Sequence, residues 1–134
     1  MVANMSMKFN DVYNPTVYEI RLWAYSDQLW PEEDWDLYLV WKDESLLYLE
    51  LASDHKCNKQ KFFQYLLYYT VAKQVNQLKD SDEIKILLKK YLDQSNSFKH
   101  GVVSNWRNKL EILQRDISSF SYYKWINDGM AFIS

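Results

Sequence analysis

Between Lys61 and Leu78 the chain reads KFFQYLLYYTVAKQVNQL. Over the first two turns a helical projection spreads Phe62, Phe63, Tyr65, Leu66, Leu67, Tyr68 and Tyr69 around nearly the whole circumference, and Gln64 is the one plainly polar interruption. A helix that is apolar all round has to be enclosed by other elements. The second half narrows to a stripe of Val71, Val75 and Leu78, leaving Lys73, Gln74, Asn76 and Gln77 for solvent, so the first half is expected to be the more enclosed. The longest charge-free apolar run, Phe62 to Ala72, falls well short of the ~18 residues a membrane span needs. No membrane partner is expected.

What surrounds such a helix follows from the turn chemistry. Two Gly and two Pro in 134 residues are too few for a fold built from many tight turns, which favours helices joined by short polar loops. Asn14-Pro15 reads as a helix entrance with Asn as the cap and Pro at the first position. Tyr18, Leu22, Tyr25 and Leu29 then follow at spacings of four, three and four, predicting one apolar face. Pro31 ends that helix or opens the next. Asn58 is the expected cap of the central helix, and Asp80 with Glu83 resembles a capping box. Behind it, Ile84, Leu87, Leu88, Tyr91 and Leu92 oppose Lys85, Lys89 and Lys90 in the cleanest amphipathic pattern of the chain. A polar loop over 93–101 leads to a helix capped near Ser104 and striped by Trp106, Leu110, Leu113 and Ile117. A short aromatic helix within 118–127, carrying Phe120, Tyr123 and Ile126, is expected to end at Gly129 as a carboxy-terminal cap.

Residues 35–51 admit two readings. Trp35, Leu37, Leu39 and Trp41, then Leu47, Leu49 and Leu51, alternate as in a β-hairpin turning at residues 42–45. That turn contains neither Gly nor Asn, and a lone hairpin is marginal without further strands. The helical reading, which we favour, puts Leu37, Val40, Trp41, Leu47, Tyr48 and Leu51 on one broad face, as two short helices broken near residues 43–45. The expected fold is therefore all-α, a compact bundle of five or six helices around a central helix at about 59–78, with an α+β hairpin at 35–51 as the alternative. At this length residues 1–134 are expected to form a single helical domain.

Charge and cysteine usage narrow the function classes. A net charge of −2 provides no global basic field, so nucleic acid is not an expected partner. The imbalance is local: residues 1–67 hold 6 Lys and Arg against 11 Asp and Glu, and residues 68–134 hold 10 against 7. The lone Cys57 excludes an intramolecular disulfide framework and suits a reducing cytosol. The opening MVANMSMKFN lacks the apolar core of a secretory signal, which makes a cytoplasmic location the expectation.

No catalytic or metal motif stands out, so no cofactor and no metal is expected. Asp54, His55 and Cys57 bring a base and a nucleophile type together, but catalytic Cys and His usually come from separate segments, and a structural role is expected. His55 and His100 sit in no paired ligand spacing. The basic residues of the second half are mixed with acids, as on a solvated face, and no Gly-rich loop exists to cradle phosphate.

The exception is a run of acids interleaved with tryptophan: Asp27, Trp30, Glu32, Glu33, Asp34, Trp35 and Asp36, with no basic residue among them. Carboxylates beside exposed indoles suit a basic protein partner, through charge complementarity and aromatic anchoring. The bland explanation is that acids favour the amino terminus of a helix beginning near Pro31. These observations point to a small non-enzymatic protein-interaction domain, an adaptor, regulator or inhibitor, with residues 27–36 as its partner-binding site. The alternative is a small-molecule-binding or enzymatic domain with a Tyr- and Trp-lined pocket between helices, since six Trp, 11 Tyr and six Phe are an unusual aromatic load. Self-association as a homo-oligomer through leftover aromatic surface is a third expectation.

Overall fold

The computed structural model describes residues 8–134, and Met1–Met7, where most of the stretch read as lacking a secretory core lies, fall outside the described residues. Among the described residues there are seven helices and no strand, one or two helices more than the sequence reading.

The first helix, α1, spans Val17–Ala24 and is opened by a capping box. Thr16 Oγ1 accepts from the Glu19 N–H at 3.1 Å while Glu19 accepts from the Thr16 N–H at 2.8 Å. That reciprocal pair satisfies two otherwise orphaned donors and moves the start beyond the expected Asn14-Pro15 entrance. The expected apolar face is also corrected. Ile20, Trp23 and Ala24 are buried, whereas Tyr18, Leu22, Tyr25 and Leu29 lie on the outside, Leu29 at 86% exposure. An eight-residue helix with apolar groups on both sides has no decisive periodicity, and burying Trp23 with Ile20 removes more apolar surface from water.

Residues 35–51 are helical, as two pieces. Helix α2, Trp35–Lys42, ends where Asp43 adopts a left-handed conformation at φ 52°, and α3, Ser45–Ser53, begins immediately after. The alternation resolves differently on each helix. Trp35 and Leu39 share a buried face at i, i+4, Trp41 is left outside, and Leu47, Leu49 and Leu51 are all enclosed. The Tyr48 hydroxyl ties the two helices by donating to the Leu39 carbonyl at 2.7 Å.

The central helix is α4, Gln60–Gln77, against which α2, α3 and two later helices pack. Phe62 to Tyr68 are buried without a break, Gln64 included. Gln64 is accommodated because its amide donates to the Ala52 carbonyl at 3.1 Å, which offsets the cost of burying it. Asn58 does not cap this helix: its amide donates to the Tyr25 carbonyl, and Lys59 holds the cap position without a side-chain bond. One fully buried side-chain polar atom lacks a partner among the described residues, the Thr70 hydroxyl of this helix. Thr70→Val keeps the shape and removes the unsatisfied group, so it is expected to raise stability by about 1 kcal/mol in a urea titration; a loss of stability would indicate a partner for that hydroxyl.

Helix α5, Ser81–Gln94, starts at Asp80, whose carboxylate accepts from the Asp82 N–H, and the reciprocal bond from Glu83 expected of a full box is not formed. After a 3-10 turn at Ser95–Ser97, α6 runs Gly101–Arg115, its cap position at His100 four residues ahead of the expected Ser104, and buries Trp106, Leu110 and Leu113 as its stripe predicts. The last helix, α7, spans Tyr122–Met130, with Ser121 as its cap. Its buried members are Trp125 and Gly129, and Tyr123 faces outward. Gly129 is not the terminal cap predicted for it: it lies within the helix, where a Cβ would stand 2.8 Å from Tyr68 Cβ and 3.1 Å from the Tyr65 carbonyl oxygen. Its missing side chain lets α7 rest on α4.

Candidate functional site

The acid and tryptophan run occupies the loop from α1 to α2 and the first turn of α2. Three hydrogen bonds fix the loop's course: Trp23 Nε1 donates to the Leu29 carbonyl at 3.1 Å, Ser26 Oγ donates to the Trp23 carbonyl at 2.7 Å, and the Gln28 N–H donates to Ser26 Oγ at 3.2 Å. From the other side, Lys59 Nζ reaches the Ser26 carbonyl and sits 4.6 Å from the centre of the Trp23 ring. Its burial pulls the ammonium below its ordinary pKa.

On this frame the seven candidate residues separate. Trp35 is fully buried. Its indole donates to the Val12 carbonyl at 2.9 Å and meets Trp23 edge-on at 4.7 Å, with Phe9 at 5.6 Å. It therefore belongs to the core and offers nothing to a partner. Asp36 turns inward to accept from the Tyr65 hydroxyl at 2.6 Å; burial first, and this bond second, push that phenol well above its ordinary range. Trp30 covers the core edge, 47% exposed and edge-on to Phe62 at 4.8 Å. Glu32 is half-buried, and Asp27, Glu33 and Asp34 are exposed. Among the described residues none of these four carboxylates is in an ion pair.

Asp34 occupies the cap position of α2 without a side-chain bond, and Asp36 lies in its first turn. The helix-terminus explanation thus accounts for Asp34 and Asp36. It leaves Asp27, Glu32 and Glu33 unaccounted for. Sequence reasoning missed Leu29, the most exposed apolar residue of the loop, because it was assigned to a helical face.

Beside this loop lies a cleft of about 660 Å³, with Phe9, Val12, Tyr13, Trp23, Leu29 and Trp30 in its lining. It forms between the segment before α1 and the loop after it, rather than between helices, and no local pattern announces it because its two walls are separate in sequence.

The second group, Asp54, His55 and Cys57, is not assembled for nucleophilic chemistry. The Asp54 carboxylate is engaged by the Tyr25 hydroxyl at 2.5 Å and by the Lys56 N–H at 2.9 Å. These two bonds, in that order, hold it below the ordinary carboxylate range. The Tyr25 hydroxyl is in turn pushed up to about 12 by that bond. Cys57 is buried, with its thiol directed at the Ala24 carbonyl at 3.4 Å, and burial raises its pKa. A protonated, enclosed thiol is a poor nucleophile. His55 is exposed, and His100 occupies the cap position of α6 without a side-chain bond. Among the described residues no three His, Cys, Asp or Glu side chains converge on a possible metal position, and no helix is long and apolar enough to cross a membrane.

Compared with protein-family models, with curated proteins and with solved structures, the chain matches none of them.

Proposed function

We propose that the protein is a small cytoplasmic, non-enzymatic interaction domain, an adaptor, regulator or inhibitor, whose 27–34 loop receives a basic segment of a protein partner. The observation that carries this is the pairing, on one hydrogen-bonded loop, of Leu29 at 86% and Trp30 at 47% exposure with four carboxylates that have no ion-pair partner among the described residues. Apolar anchors beside unpaired charge favour a partner segment that offers both an apolar side chain and Lys or Arg. Trp35 and Asp36 are withdrawn from the surface candidate and act as its foundation. The free, buried Cys57 accords with a reducing compartment.

The test is a titration with Lys- and Arg-rich peptides bearing one apolar anchor, followed through Trp30 fluorescence. Leu29→Asp with Glu33→Lys is expected to weaken binding at least about tenfold at an unchanged melting temperature, because both side chains project into solvent. Equal binding by the variant removes the loop from consideration. The 660 Å³ aromatic cleft favours a second reading, a small-molecule domain. Tryptophan quenching by a metabolite, abolished by Tyr13→Ala and indifferent to Glu33→Lys, would replace the first reading with that one.

A further inference from the structure

A second cleft, of about 460 Å³, opens beside the middle of α4 and is lined by α4, α6, α7 and the residues just after α7. Its walls come from two helical faces. On α6, Asn105, Asn108 and Lys109 fall at i, i+3 and i+4, which aligns them on one side. On α7, Asn127 and Asp128 face them, and Phe132 follows just beyond that helix. The floor is Tyr68 of α4. A single ion pair, Lys109 to Asp128 at 2.6 Å, links the walls.

Three properties of this cleft bear on what it could hold. Tyr68 is only 3% exposed as a residue, but its hydroxyl is not among the fully buried unpartnered atoms and makes no hydrogen bond among the described residues, so it is open to the cleft it lines. Burial, together with the neighbouring Asp128 carboxylate, pushes that hydroxyl up to about 12; as any neutral phenol, it can both donate and accept. The side-chain amides of Asn105, Asn108 and Asn127 are exposed on the rim and make no hydrogen bond to the described residues, so they are free to meet a ligand. Lys109 and Asp128 neutralise each other, so the cleft presents directional polar groups without net charge.

We propose that this cleft binds a neutral polyhydroxylated ligand, a mono- or disaccharide or the terminal sugars of a glycan. Hydroxyl groups of a sugar each donate and accept, which matches three amides that offer one carbonyl oxygen and one NH2 apiece, and a phenol that does both. The paired Lys109 and Asp128 reward a charged ligand with no net Coulomb energy. Phe132, in ring contact with Tyr68 at 5.6 Å, supplies the apolar surface on which the C–H face of a sugar ring rests. The volume lies within the range of small-molecule sites, roughly 300–1,000 Å³. This cleft shares no lining residue with the one beside the 27–34 loop and stands whether or not that loop binds a partner.

The experiment is a nitrogen-15 NMR titration of the full chain with glucose, mannose, galactose, N-acetylglucosamine and lactose, each carried to tens of millimolar, and with free glycine and glutamate as charged comparisons. The expected result is saturable movement of the Asn105, Asn108 and Asn127 side-chain amide signals with at least one saccharide. Trp125 fluorescence, 5.6 Å from Tyr68 between ring centres, should follow the same curve. Tyr68→Phe and Asn108→Ala are each expected to raise the dissociation constant about tenfold, the equivalent of one good hydrogen bond. Neither should disturb folding, because neither the Tyr68 hydroxyl nor the Asn108 amide is used in the fold. Absence of movement with every saccharide, movement confined to other residues, an equal response to the charged compounds, or full affinity in both variants would each overturn the proposal.

Discussion

Trp35→Ala is expected to remove about 3–5 kcal/mol of stability, the cost of truncating a large, fully enclosed aromatic side chain. The loss has three parts here. A cavity opens between Trp23, 4.7 Å away, and Phe9, at 5.6 Å. The indole donor to the Val12 carbonyl disappears. The segment before α1 then loses one of the attachments that holds it on α2. For a domain whose total stability is on the order of 5–15 kcal/mol, the variant should be partly unfolded at 37 °C, and circular dichroism with urea will read this directly. Trp35→Phe separates the terms, since it retains most of the ring while leaving the carbonyl without its donor, and should cost about 1–3 kcal/mol. If Trp35→Ala instead kept full stability and lost partner binding, Trp35 would be a surface anchor as the sequence pattern alone implied.

Gly129 gives the second large effect. In an isolated helix alanine is favoured over glycine by about 1 kcal/mol, so an exposed Gly129 would be improved by Gly129→Ala. Here the new Cβ lands 2.8 Å from Tyr68 Cβ. Tyr68 Cβ is fixed to the α4 backbone and has no rotamer by which to withdraw. Overpacking of this kind costs about 1–3 kcal/mol, and because the clash lies against near-rigid atoms the upper end applies. Gly129→Ala should therefore be net destabilising by about 1–2 kcal/mol, and Gly129→Leu by more than 3 kcal/mol, as α7 is levered off α4. Gly129→Asn discriminates this from the terminal-cap role. Asparagine tolerates the left-handed conformation of a cap but still carries a Cβ, so near-neutrality of Gly129→Asn would overturn the close-packing account.

Much of the architecture was legible in local patterns. The apolar circumference from Phe62 to Tyr69 marked α4, and the Ile84, Leu88, Tyr91 and Trp106, Leu110, Leu113 stripes marked α5 and α6, because burial along a long helix imposes a period that survives in the residues themselves. The break near Asp43 was expected in place, and there a left-handed residue ends α2 so that α3 begins at Ser45. The candidate site was less legible. Trp30 and Trp35 look equivalent in the sequence, yet one is half-exposed and the other enclosed. The difference arises from Val12, Phe9 and Trp23, which are 12 or more residues distant from Trp35 and reach it only in the folded chain.

By itself, then, the sequence favoured an all-helical fold over one with a hairpin at residues 35–51, marked which helix is central, and placed the start of α5 at Asp80 and the break between α2 and α3, since capping, turn chemistry and hydrophobic period act over a few residues. The tertiary structure alone decided which side of α1 faces inward, which tryptophan of the acidic run stays outside, that Gly129 is a packing contact, and that Tyr68 lies at the floor of a polar cleft. Each of these depends on what another segment offers as a surface to pack against, and a short helix with apolar residues on both sides satisfies its local rules equally well whichever face is covered.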